Sequence, residues 1–269
     1  MKLDTSSYYP KSPLDDDPEL NGSAPVQPEP VADNSVVTET EEVTVAFDSA
    51  DGTPAPEITP LPDNSFFTKL SHVLSWVLVP MLMPVYGVIL AFGLSILAFT
   101  GFGVRLAFTA VVIAFNVAIP AIIVLLLKRI GIVKDVGLNN REERFIPFLV
   151  CILCLVGTAI FMRYKMAPMW LVMFFYGGAA AGVVEVIVNR WWKISVHAAG
   201  VAGIVALLLH MLMEDYCAPA TEVWLIISVA LAGLLGSARI WLGRHTLMQV
   251  LAGYAVGFCA VFFTTMIGA

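Results

Sequence analysis

From Leu70 onward the chain alternates long apolar runs with short polar stretches, the runs covering about 71–100, 106–127, 146–162, 167–188, 194–213, 222–240 and 246–267. Most reach the roughly 20 residues that carry a helix across a hydrocarbon core. The pattern predicts an all-α fold, a polytopic helical membrane bundle of six to seven transmembrane helices over residues 67–269. Residues 1–66 are different in kind. They hold ten of the sixteen prolines, the Asp15, Asp16, Asp17 run and Glu39, Glu41 and Glu42, with no apolar stretch able to form a helix core. Such a segment is expected to be a disordered acidic tail. The first apolar run is the longest and carries Pro80 and Pro84 within WVLVPMLMPVYG. It reads as either one kinked, tilted span or a short interfacial helix leading into a span. With one crossing the body has seven spans, and the loops at 128–145, 189–194 and 241–245 lie on the side of the tail. Two crossings would put the tail opposite them.

Composition agrees with this division. The 269 residues are 58% hydrophobic and 13% charged, with a mean hydropathy of +0.83, against about a quarter charged in soluble domains. That excludes a soluble enzyme with a water-facing surface, a secreted disulfide scaffold and a chain disordered from end to end. Nothing in it suggests a nucleic-acid partner; membrane lipids are the expected surroundings. The net charge of −6 hides an asymmetry, because residues 1–66 hold 14 acids and two lysines while the remainder holds seven acids and 13 bases. Ten of those bases (Lys69, Lys128, Arg129, Lys134, Arg141, Arg144, Arg190, Lys193, Arg239 and Arg244) fall on one side of the seven-span arrangement, against Arg105, Arg163 and Lys165 on the other. By the positive-inside rule the richer side is cytoplasmic, as expected for a multi-pass protein of an inner or plasma membrane. No charged segment followed by a short apolar stretch opens the chain, so the first apolar run is expected to target it.

Cys151, Cys154 and Cys259 lie within apolar runs and read as small buried hydrophobes; the C-x-x-C pair has no second pair to complete a metal site. No metal or cofactor is expected. Gly253-x-x-x-Gly257, Gly200 with Gly203, and the Gly177 to Gly182 cluster mark close helix approach, expected within one chain.

Three polar stretches interrupt the runs in a way that anchoring alone does not require. KDVGLNNREERFIP places Lys134, Arg141 and Arg144 before the third span. WKISVHAAG places Lys193, Ser195 and His197 at the start of the fifth, and SARIWLGRHTLMQVLAG places Arg239 at the end of the sixth and His245 at the start of the seventh. Two crossings separate each from the next, so all three reach one membrane face. Cations, two histidines and two helix N-termini, with Ser195 and Thr246 as candidate caps, together favour an anion, and guanidinium forks match phosphate oxygens. One histidine can attack phosphorus while the other protonates the departing alkoxide, a reaction that needs no metal. His245 and Gln249 stand four apart on one helical face, so the amide can accept from Nδ1–H and leave the lone pair on Nε2.

These residues resemble the type 2 phosphatidic acid phosphatase superfamily, which includes lipid phosphatases and vanadium haloperoxidases. Its pattern is K-x6-R-P, then P-S-G-H, then S-R-x5-H-x3-D; here stand Lys134-x6-Arg141, Ser195-x-His197 and Arg239-x5-His245-x3-Gln249. The resemblance covers roughly residues 70 to 269. It implies that Lys134, Arg141 and Arg239 hold the phosphate, that Ser195 and nearby amides bind its oxygens, that His245 is the nucleophile and that His197 is the general acid. The implied activity is hydrolysis of a lipid-linked phosphate, phosphatidate-like or isoprenoid, through a phosphohistidine. The departures are Ile194 and Val196 for proline and glycine, Glu142 for proline, Ala238 for serine and Gln249 for aspartate. Arg144-x-x-Pro147 is an alternative arginine anchor. An inactive scaffold that binds or moves an anionic lipid is the alternative function. Outside the cluster, His72 and His210 read as structural, Asn116 with Pro120 as a kink and an interhelical hydrogen bond, Trp191 and Trp192 as an interfacial belt, and Glu185 either as a structural partner of Arg190, Lys193 or an arginine of the site or as a participant in the chemistry.

Overall fold

The computed structural model describes residues 65–132, 145–213 and 218–268. All of them belong to one compact unit, Thr59–Ala269. The tail before residue 65 and the candidate anchors Lys134, Arg141 and Arg144 lie outside the described residues.

Among the described residues every regular element is a helix: α1 (Phe66–Val77), α2 (Met83–Leu94), α3 (Phe102–Ile113), α4 (Ile119–Arg129), α5 (Phe145–Tyr164), α6 (Met169–Val188), α7 (Val196–Met213), α8 (Thr221–Trp241) and α9 (Leu247–Ile267). Counting α1 with α2 and α3 with α4 as continuous runs, seven are long and apolar enough to cross a membrane. Helix is what lipid demands, since an apolar run there must satisfy its own backbone polar groups. Large apolar side chains point outward along the bundle, among them Phe99, Trp76 and Ile226. In this setting they face lipid.

The first run crosses once. Ser65 caps α1 by accepting from the Thr68 amide at 3.1 Å, and the helix breaks before Pro80, which cannot donate into it. Tyr86 Oη donates to the Val77 carbonyl left over at the break (2.8 Å). At one end of the run, Trp241 Nε1 of α8 donates to Thr68 Oγ1 (3.2 Å), on the membrane face where α8 ends. At the other end the Ala218 amide, just before α8 begins, donates to the Leu94 carbonyl (2.8 Å). The two ends therefore lie on opposite faces, which selects the kinked-span reading and seven crossings.

The second run contains a π turn at Ala114–Ala118, just before Pro120. Proline lacks the amide that would continue the ladder, and the extra residue absorbs the defect. Asn116 sits in that turn, buried. Its Nδ2 donates to the Val112 carbonyl (3.1 Å) and to Thr158 Oγ1 of α5 (2.8 Å), while Thr158 donates to Cys154 O (2.8 Å). The interhelical hydrogen bond expected of Asn116 is present, and the helix irregularity beside Pro120 takes the form of a π turn.

α9 packs between α7, parallel to it, and α6, antiparallel to it. A Cβ on Gly253 would press on the Ser195 carbonyl, one on Gly257 on the Ala199 carbonyl, and one on Gly203 would meet Val261 at 3.2 Å. These three pairs step along α7 and α9 in constant register. On the other side Gly177 of α6 faces the Val261 Cα, where a Cβ would sit 2.8 Å away, and Gly268 at the end of α9 faces Met169 at the start of α6. The Gly253-x-x-x-Gly257 signal thus serves contact within the chain. Phe175, Leu171, Leu207, Leu208 and Val261 fill the core around it, and α7 is the most enclosed of the spans.

The tolerance of two glycines should differ sharply. Gly257→Val would drive a side chain into the α7 backbone and should cost about 1–3 kcal/mol or more. Gly233→Ala, where a Cβ meets nothing within 4 Å, should stabilise α8 by about 0.5–1 kcal/mol. Denaturant unfolding in detergent micelles measures both.

Candidate functional site

The sixth span ends in a turn that ties Arg239 to His245. Gly243 adopts φ +61°, a left-handed conformation that glycine enters without penalty. Its amide donates to Ile240 O (2.9 Å) and the Arg244 amide to Arg239 O (3.1 Å), the two bonds of a Schellman end. The His245 amide also reaches Arg239 O (3.3 Å). The spacing Arg239-x5-His245 is therefore the length of a helix stop followed by a new start. It places the histidine next to the last turn that carries the arginine.

The seventh span begins with a capping box. Thr246 Oγ1 accepts from the Gln249 amide (3.4 Å), and Gln249 Oε1 accepts from the Thr246 amide (3.3 Å). His245 is buried, and its Nδ1 lies 3.2 Å from the same Gln249 Oε1. That geometry settles the tautomer. A backbone N–H can only donate, so the amide oxygen, not its nitrogen, must face Thr246. The same oxygen can only accept, so His245 Nδ1 carries the hydrogen, and in the neutral form of the ring the lone pair falls on Nε2.

The fifth span starts alongside. The Ser195 amide donates to the Gln249 carbonyl (3.2 Å), which sets the beginnings of α7 and α9 side by side. Ser195 Oγ accepts from the Ala198 amide (3.4 Å), so the hydroxyl is an N-cap, and the residue has no exposed surface. His197 lies half-buried in the first turn of α7, with Lys193 half-buried just before it. Two helix N-termini, each with orphan amides and partial positive charge, consequently open on one face beside His245 and His197.

Arg239 is half-buried and its Nη1 lies 3.4 Å from Ser75 Oγ of α1. Sequence reading did not include Ser75. The only hint was a pair of serines, Ser71 and Ser75, four apart in an apolar helix; both are buried. Of the candidate residues, the structure gathers Ser195, Gln249 and His245 through direct bonds, and Arg239 through the turn. Lys134, Arg141 and Arg144 belong to the segment between the end of α4 and the start of α5, outside the described residues.

The remaining polar groups have other places. His210 is fully buried, with Nδ1 3.4 Å from Met266 Sδ and its ring 6.2 Å from that of Trp170, a structural setting. His72 is exposed on α1, and Trp191 and Trp192 are exposed beyond the end of α6. Glu185 is buried in α6, on a turn whose neighbouring Gly182 faces Ile152 of α5. Its Oε1 meets no donor among the described residues.

Because the cap also orients His245, Thr246→Ala should cost about 1 kcal/mol of stability. Thermal unfolding in detergent, followed by circular dichroism, checks this. Compared with protein-family models, curated proteins and solved structures, the chain gives no match.

Proposed function

We propose that this membrane bundle hydrolyses a lipid-linked phosphate through a covalent phosphohistidine. The observation that carries the reading is the Gln249 Oε1 contact, which takes the Nδ1 hydrogen of His245 and so assigns the lone pair of the neutral ring to Nε2. In the first step that lone pair attacks phosphorus, the bond from phosphorus to the lipid oxygen breaks, and His197 in its protonated form delivers a proton to the departing alkoxide. In the second, water attacks the phosphohistidine, the P–N bond breaks, and neutral His197 takes the proton from the water. Inorganic phosphate leaves and both histidines return to their starting states. Arg239 and the amides at the starts of α7 and α9 stabilise the charge on the phosphoryl oxygens. Lys134 and Arg141, or Arg144 in the place of Arg141, complete the set. Hydrolysis of this kind balances without metal or cofactor. The site belongs on the cytoplasmic side if the basic excess follows the positive-inside rule.

A second reading is an inactive scaffold that binds or moves an anionic lipid. It is favoured by Ser195, whose hydroxyl is already engaged as a cap, and by Gln249, whose neutral amide orients the imidazole without balancing the imidazolium charge.

Phosphate release from lipid mono- and diphosphates, assayed on protein purified in detergent with EDTA present, separates the readings. Under the phosphatase reading, release proceeds under chelation, His245→Ala abolishes it, and a ³²P-labelled, acid-labile protein adduct forms with wild type only. Gln249→Asp should raise kcat at least tenfold; in a serine protease the reverse exchange, aspartate to asparagine beside the catalytic histidine, costs about 10⁴. Absence of release from every substrate, with the aspartate variant silent as well, would transfer the assignment to lipid binding.

A further inference from the structure

Arg239 emerges from the last turn of α8 and reaches toward α1, a helix that none of the three polar stretches includes. Its Nη1 lies 3.4 Å from Ser75 Oγ. Ser75 is buried, as is Ser71 one turn earlier on the same face, although α1 otherwise turns Phe66, Phe67, Val73, Trp76 and Val77 outward. Two buried hydroxyls on the inner face of α1 call for a polar neighbour. Arg239 supplies one. Ser75 also lies in the last turn of α1, before the break at Pro80, where the helix carries partial negative charge that favours a guanidinium. A second bond holds the other end of α1 on the same segment of α8: Trp241 Nε1 donates to Thr68 Oγ1 (3.2 Å), with the Phe67 and Trp241 rings 5.8 Å apart. Arg239 and Trp241 flank one short stretch of α8, and each is fixed by a different turn of α1.

We propose that Ser75 is a positioning residue for Arg239, so that α1 is part of the phosphate site. The proposal rests on the phosphatase reading for the identity of the ligand. Ser75 accepts one guanidinium N–H and fixes the plane of the fork against α1. Long side chains lose substantial rotamer freedom when ordered, and a guanidinium already held by a neighbour loses less on binding its anion. The role is therefore one of binding. Ser75 touches neither the phosphorus nor the histidines.

The experiment is a double-mutant cycle on the full chain in detergent, with two readouts: steady-state hydrolysis of a lipid monophosphate, and displacement of bound ³²P-labelled inorganic phosphate by unlabelled phosphate. Ser75→Ala should raise KM and the phosphate Kd together, about three- to tenfold, with kcat within a factor of two. Ser75→Thr, which keeps the hydroxyl, should restore both constants. In an Arg239→Ala background, Ser75→Ala should change neither by more than the error of measurement. Ser71→Ala removes the other buried hydroxyl of that face and controls for packing: it should alter the melting temperature without altering KM or Kd. Equal effects of Ser75→Ala in the two backgrounds, or an unchanged KM and Kd in the wild-type background, would overturn the proposal while hydrolysis by wild type stood. If wild type released no phosphate but bound it, and Ser75→Ala weakened that binding only when Arg239 was present, the phosphatase reading would fall and the positioning role would stand. Absence of both hydrolysis and binding would overturn both. Should Ser75→Ala fail to fold, Ser75→Cys, with a weaker acceptor of similar volume, should show the same rise in KM and Kd in a smaller degree, and no rise would count against the role.

Discussion

The close approach of α7 and α9 governs the arrangement. Within a bilayer there is no hydrophobic gain from pressing one apolar helix against another, because lipid tails are as apolar as leucine; association rests on contact and on hydrogen bonds. Gly253 and Gly257 remove the side chains that would otherwise hold the two backbones apart, and the Ser195 and Ala199 carbonyls occupy the space. Once those helices touch in that register, the Ser195 amide meets the Gln249 carbonyl. The two helix starts are then level. The same helix, α9, uses its other side to receive Gly177 of α6. One strand of small residues thus fixes both the core and the depth of the candidate site.

Much of this was legible before the structure was known, because hydropathy and spacing are local signals. Seven apolar runs correspond to seven spans, and the glycine pair of α9 marks a close contact. The four-residue step from His245 to Gln249 yields the hydrogen bond that step implies. The six-residue interval from Arg239 to His245 was legible only as a number; the Schellman turn at Gly243 gives it a cause. What the chain did not disclose depends on partners far apart in sequence. Whether the proline-broken first run crosses once or twice could not be read from Pro80 and Pro84, since the answer lies in Thr68 meeting Trp241 and Leu94 meeting Ala218. The Ser75–Arg239 contact spans most of the described chain and has no motif.

Ser195 shows a different limit. As a residue at the start of a span it qualified both as a helix cap and as a phosphate ligand, and spacing cannot rank two uses of one hydroxyl. The structure shows the cap, with the residue fully enclosed. Glu185 is the converse case: its position in a span called for a partner, and its buried Oε1 meets no donor among the described residues.

The shared oxygen of Gln249 has a consequence for how the ring can behave over time. Helix start and imidazole are pinned at the same atom, and the pin engages only Nδ1. Helix start and imidazole therefore share one acceptor, so a change that moves the Gln249 side chain would release the first turn of α9 and the ring together.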